Sequence, residues 1–241
     1  MKYRQKHLTA CLIALAALIS APIQGAWAAT APALGTASGF SVLGGTAVTC
    51  TAGAVTGNVG VSPGSAYTNT GCTISGSTPP ATNTAAVQAH ADFLSAYATL
   101  QSASCTQTLT GTLAGQNLAP GVYCVSAEAK TGLLTLTGPS DGVWIFLVNG
   151  ALTGTNFSVA MADGGQPCNV FWAPIGAAAT MTTSAFTGNI LAGDATLGSI
   201  TLTGGTLAGQ ALANVAVTMT GASVTGSQCY NPSYSLNPFG L

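Results

Sequence analysis

The sequence predicts a mainly β fold, a triangular β-solenoid with one α-helix packed along one face. Three observations predict it. Thr-x-Thr triplets recur through a chain in which only 4% of residues are charged. Segments containing them repeat at a step of about twenty residues, the size of one solenoid coil. A single alanine-rich window, residues 83–101, breaks this strand pattern with helical periodicity.

The triplets are Thr49-Cys50-Thr51, Thr180-Met181-Thr182, Thr201-Leu202-Thr203 and Thr218-Met219-Thr220, with Thr153 in a diverged copy that begins at Ala151. Side chains on a strand alternate between its two faces. Both threonines of a triplet therefore point outward, and Cys50, Met181, Leu202 and Met219 point inward, with Leu152 assigned the same inward role in the diverged copy. Stacked in register, such strands form a flat, uncharged lattice of hydroxyls and methyls. Ordered water is one of the few ligands that matches a lattice of this kind.

Each repeat offers two further segments. One is apolar throughout, at Val143 to Val148, Val170 to Trp172, Ile190 to Ala192 and Ala211 to Ala213. A strand that is apolar on both sides is buried on both faces, so the helix is expected to dock there. The other is short and alternating, at Ser184 to Thr187 and Ser223 to Thr225, with Phe186, Leu207 and Val224 predicted to point inward. Gly57, Gly188, Gly209 and Gly226 recur at one coil position, where a tight corner needs a permissive backbone. A first copy of the repeat, Thr49 to Val61, precedes the helix.

In the helical window, Ala86, His90, Phe93, Tyr97 and Leu100 share one face, with Val87 and Leu94 beside them. Thr82 or Asn83 is positioned to cap its start.

The N-terminal residues 1–28 read as a secretory signal: Lys2, Arg4 and Lys6, an apolar stretch from about Leu8, then Ala26-Trp27-Ala28 as a small-x-small cleavage site. The mature domain is then expected over 29–229, with a tail at 230–241, in a secreted protein of the extracellular space or periplasm. Without the signal, Lys130 is the one basic residue against Asp92, Glu128, Asp141, Asp163 and Asp194, a net charge of −4. One lysine cannot neutralise a run of phosphates, so neither nucleic acid nor an anionic membrane surface is a predicted partner. No second apolar run suits membrane insertion.

Cys50, Cys72, Cys105, Cys124, Cys168 and Cys229 remain, an even number in an exported chain and hence candidate disulfides. Closeness in sequence favours Cys50–Cys72 and Cys105–Cys124, which leaves Cys168–Cys229. None forms a Cys-x-x-Cys pair and His90 is the sole imidazole, so no metal and no cofactor is expected.

Several motifs together carry a resemblance. They are Leu34-Gly-Thr-Ala-Ser-Gly-Phe-Ser-Val-Leu-Gly-Gly, Gly57-Asn-Val-Gly-Val-Ser-Pro-Gly, Leu118-Ala-Pro-Gly-Val-Tyr, Gly142-Val-Trp-Ile-Phe, Asn169-Val-Phe-Trp and Phe186-Thr-Gly-Asn-Ile-Leu-Ala. In this order they resemble the secreted ice-binding protein family, across nearly the whole mature chain. The resemblance implies a right-handed, discontinuous β-helix accompanied by a long helix. It also implies an N-terminal coil inserted among the later ones. It points to the surface of an ice crystal as the partner and to a monomer as the working form. On that reading Thr49, Thr51, Thr153, Thr180, Thr182, Thr201, Thr203, Thr218 and Thr220 are the ice-binding residues. Ala173-Pro174 and Gly209-Gln210 depart from the family pattern, where many relatives have Gln and Gly-Arg; coil packing and surface charge are what these departures touch.

Other readings remain at this point. A second exposed face, carrying Ser184, Thr187, Thr206, Ser223 and Thr225, rivals the Thr-x-Thr face but repeats less regularly. Threonine is also simply favoured in strands, so an adhesion or matrix module without ice activity is the alternative function. An enzyme would need acids and bases gathered in a groove. Here Asp141 and Asp194 are separated in sequence, and Glu128 and Lys130 read as a solvated edge. His90 reads as a packed or rim histidine, and the aspartates as partners in local hydrogen bonds.

Overall fold

A computed structural model describes residues 29–127 and 129–226. The predicted signal 1–28, Glu128, Cys229 and the tail 230–241 lie outside the described residues. Three columns of parallel strands stack around one interior. The first column is an eight-stranded sheet running Gln107–Leu109, Gly121–Ser126, Trp144–Asn149, Val170–Ile175, Asn189–Ala192, Ala211–Ala213, Phe40–Gly44 and Asn58–Val61. The other two columns belong to one thirteen-stranded sheet, because the long strands Ala129–Thr137 and Leu152–Ala162 run through both.

The helix is Asn83–Gln101, as its periodicity predicts. It covers the first column. Strands there are apolar on both sides and are sorted by alternation. Trp144, Phe146, Val148, Val170 and Trp172 face the interior, with Ile190 and Ala211. Ile145, Leu147, Phe171, Ala173, Leu191 and Leu212 meet the helix. The helix answers with Ala86, Ala89, Phe93, Ala96, Tyr97 and Leu100, all buried. Val87 is instead 63% exposed, since it lies one position past the contact face. The small residues Ala89 and Ala96, which the sequence reading passed over, let the helix lie close. Thr82 precedes the helix without capping it; its hydroxyl donates to the Val59 carbonyl at 2.8 Å and ties the helix start to a coil.

The order of the coils departs from expectation. Along the stack they run 107–118, 121–137, 144–162, 170–187, 189–208, 211–224, then 40–55 and 58–74. Two N-terminal coils thus stand at one end, beyond the last C-terminal one, rather than one coil being inserted among the later ones. The helix makes this order workable. Nineteen residues span about 28 Å, enough to carry the chain back over roughly six strand spacings of 4.8 Å. The chain leaves the coil at 58–74, crosses along the helix and restarts at the far end.

Inside, Tyr123, Phe146 and Trp172 stack face to face, with centroids 5.4 and 3.9 Å apart. Phe186 leans on Trp172 at 4.8 Å. The buried indole nitrogens of Trp144 and Trp172 donate to the Leu118 and Thr187 carbonyls, which removes the cost of burying an unpaired donor. One corner is stitched by amides. Asn189 donates to the Cys168 carbonyl, and Gln210 to the carbonyls of Ala37 and Ser38. Gln210 is buried, so the departure at that position concerns coil packing and not surface charge.

Candidate functional site

The second column brings the triplets into register. Thr153, Thr180, Thr201, Thr218 and Thr49 form one file of directly paired residues, and Thr182, Thr203, Thr220 and Thr51 form a second. Every threonine named from the sequence lies in one of these two files. The structure adds three that sequence reasoning missed. Thr155 pairs with Thr182, while Thr68 and Thr70 pair with Thr49 and Thr51. The array is therefore two threonines wide and six coils deep. With strands about 4.8 Å apart and threonines of one strand about 6.6 Å apart, it covers a patch about 24 Å long.

The missed residues share a cause. The intervening residue is Gly154 in one triplet and Asn69 in another, so neither fits an alternation of threonine with a large apolar residue. Leu152 is accordingly not the inward residue between two threonines. Gly154 holds that place, opposite Met181, and Leu152 pairs one step earlier with Ala179. All six triplets share a backbone feature that the sequence signals only in part, through Asn156, Gly204, Gly221 and Gly71. Each is followed by a residue with positive φ: Asn156, Thr183, Gly204, Gly221, Ala52 and Gly71, at φ from 47° to 76°. Each strand thus turns its corner immediately after its second threonine. Backbone hydrogen bonds from Thr183, Gly204, Gly221 and Ala52 to the threonine carbonyls of the next coil align these corners.

The inward positions beneath the array are Met181, Leu202, Met219 and Cys50, all at most 3% exposed. Among the described residues, no hydrogen bond engages the side-chain hydroxyl of any of the twelve threonines. The array ends where Ala129 and Lys130 pair with Thr153 and Gly154. Lys130 is buried, not on a solvated edge: it occupies the inward position opposite Gly154, and its Nζ donates to the Ser126 carbonyl at 2.8 Å. No charged side chain interrupts the two threonine files.

The rival face is different. Its outward file runs Leu133, Ser158, Ala185, Thr206, Ser223, Ala54 and Thr73. Ser184 and Thr187, expected there as exposed residues, are buried. The Thr187 hydroxyl donates to the Val159 carbonyl, while Ser184 donates to the Thr182 carbonyl and accepts from the Phe157 amide. Phe186, Leu207 and Val224 point inward as predicted.

Titratable groups sit away from the array. Asp92 accepts from the Thr36 amide and from Gln88, and these bonds, the Thr36 amide first, hold its carboxyl below the usual range. Asp194 is lowered by the Leu197 and Thr196 amides it caps. His90 is pushed down by burial against its bond to Asn214, 3.0 Å away. Among the described residues there is no grouping of His, Cys, Asp or Glu suited to a metal, and no helix is long and apolar enough to cross a membrane. Cys50–Cys72 and Cys105–Cys124 are disulfides. Cys168 is also disulfide-bonded.

A family model described as Ice-binding-like matches residues 42–225. An ice-binding protein of Nostoc sp. (strain HG1) is 41% identical over 199 residues, covering 80% of this chain and 72% of that protein. Ice-binding protein K3-B1 of Typhula ishikariensis is 30% identical, covering 75% of this chain and 84% of the other. The crystal structure of an ice-binding protein from the Antarctic ascomycete Antarctomyces psychrotrophicus superposes with a TM-score of 0.70 at 30% identity, over 84% of this chain and all of that one.

Proposed function

Because the chain belongs to the ice-binding-like family, we propose that it adsorbs to ice through its threonine face and so restrains ice growth and recrystallisation. The observation that carries this reading is the double file of twelve threonines with uncommitted hydroxyls. A β-branched side chain is stiff at χ1, so the lattice is ordered before any ligand arrives. Preorganisation matters because each contact is weak and ordering costs would otherwise consume the gain. Methyl groups cage nearby water while hydroxyls anchor it by hydrogen bonds. The anchored layer then merges with the crystal lattice. The whole array comes from one chain, so a monomer suffices. The predicted signal supports a secreted protein, in the medium or periplasm.

A recrystallisation assay tests the reading. The protein is expected to keep ice grains small at concentrations where buffer lets them coarsen. Thr203→Lys and Thr182→Lys place a strongly hydrated cation in the array's interior and should each lower that activity by about tenfold or more. Grain growth equal to buffer for the unmodified protein would sink the proposal.

A further inference from the structure

We propose that the Cys50–Cys72 disulfide is a positioning element of the threonine face: it holds the terminal coil, and with it Thr68 and Thr70, in register with the rest of the array. The proposal rests on the reading that this face binds ice. It starts from how poorly the terminal coil is held otherwise. Strand Ala66–Thr70 pairs on one side only among the described residues, with Ala47–Thr51. Its residues are exposed except for a half-buried Tyr67. In inner coils the residue between the threonines is a buried Met, Leu, Cys or Gly; here it is Asn69, polar and exposed.

Register in a sheet is set chiefly by burial of one face, and a slip of one residue exchanges the faces. In the terminal coil a slip would turn Thr68 and Thr70 inward and Asn69 outward. Burial opposes that slip only through the partly buried Tyr67 and Ile74, which pack against the core. The crosslink acts where burial fails. Cys50 is the inward residue between Thr49 and Thr51, 1% exposed, and Cys72 sits two residues after Thr70, with the two Cα atoms 6.0 Å apart.

Asn69 extends this grip. Its side-chain amide donates to the Cys72 carbonyl at 3.1 Å, and its Oδ1 accepts from the Cys72 amide at 2.9 Å. The Gly53 amide donates to the Cys72 Sγ at 3.0 Å. The corner Asn69–Cys72 is thereby closed on itself and fastened to the coil below. Asn69 is thus a bracket, and its polarity at an inward position is explained. Four of the twelve threonines lie on the two coils that the disulfide joins.

The test uses Cys50→Val with Cys72→Ala, and a second pair, Cys50→Met with Cys72→Ala, which places the inward residue of the neighbouring coils in the slot. Recrystallisation inhibition and amide exchange are measured on both, each with and without Thr68→Lys. Amide exchange is expected to quicken over 66–74 but not over 179–203. Activity is expected to fall by about threefold. Thr68→Lys should cost activity in the unmodified protein and add little in either cysteine pair, because the coil is already out of register. A merely stabilising crosslink would shift the melting temperature and leave the Thr68→Lys cost intact. Full activity, unchanged exchange at 66–74, or loss of the whole fold in both pairs would overturn the proposal. Thr203→Lys in the unmodified protein separates the two ideas. If it leaves activity untouched, the ice-face reading has failed, and the exchange data alone then judge the register claim.

Discussion

The threonine face and the face beside it are made by the same sheet from the same coils, yet they differ in order. Threonine-face strands such as Ala179–Thr182 and Ala216–Thr220 have four or five residues, so each shows two or three outward side chains, two of them threonines. Those of the neighbouring face, Ala185–Thr187 and Ser223–Val224 among them, have two or three. On the first, a left-handed residue follows the second threonine of every coil in the array. On the second, the outward file mixes Leu, Ser, Ala and Thr, and hydroxyls such as those of Thr187 and Ser184 are spent on the backbone of adjoining segments. A ligand-binding lattice thus needs more than β-branched residues on strands. It needs a corner at the same place after each second threonine, and hydroxyls left free.

That difference predicts the largest contrast between two single substitutions. Thr206→Lys, exposed on the neighbouring face, places the same charge one corner away from Thr203→Lys. Recrystallisation inhibition should stay within about twofold for Thr206→Lys while Thr203→Lys loses about tenfold. Equal losses would show that both faces contribute, and an effect confined to Thr206→Lys would move the site to the other face.

Much of this arrangement was legible beforehand. Alternation identified the inward Met181, Leu202 and Met219, and helical spacing located the helix Asn83–Gln101. What was not legible has physical causes. Gly154 and Asn69 break the apolar alternation, so Thr155, Thr68 and Thr70 went unnoticed. Lys130 was assigned to solvent by residue type alone, whereas strand pairing with Gly154 turns it inward. Burial of Ser184 and Thr187 depends on which hydroxyls meet a backbone across a corner, and that is set by coil order. Coil order itself depended on pairing between residues more than 160 positions apart, such as Thr49 and Thr218, which no local pattern encodes.

A smaller effect separates the scaffold from the array by pH. Asp92 and Asp194 have folded-state pKa values below their ordinary 3.8, so their stabilisation is present above that value and is lost as pH falls through the folded one. His90, held neutral by burial, acts in the same direction: its contribution is complete above 6.5 and declines as acid protonates it in the fold. All three lie on the helix or on a loop, and none is in the threonine files. The melting temperature should therefore fall first below pH 6.5, through His90, and again below pH 3.8, through the two aspartates, while activity per folded molecule at low temperature stays constant. A pH-dependent activity at constant folded fraction would mean that a titrating group reaches the ice face.

The smallest expected effect lies at a corner of the array. Ala52 follows Thr51 with φ of 51°, and its amide donates to the Thr70 carbonyl at 3.0 Å. A left-handed conformation costs a residue with a Cβ about 1–2 kcal/mol, and glycine escapes this at an entropic cost of about 0.5–1 kcal/mol. Ala52→Gly should therefore leave stability unchanged or raise it by up to about 1 kcal/mol, visible in a thermal melt. Gly204 and Gly221 already occupy the matching corners of two neighbouring coils, so the substitution extends an existing column. Activity should not change, because the strand still ends at Thr51. A clear destabilisation would mean that the Ala52 methyl, and not the corner's handedness, holds this end of the threonine strand. The neighbouring face also ends on a column of positive-φ corners, but Gly57, Gly188, Gly209 and Gly226 already fill it with glycine, so the same substitution has no counterpart there.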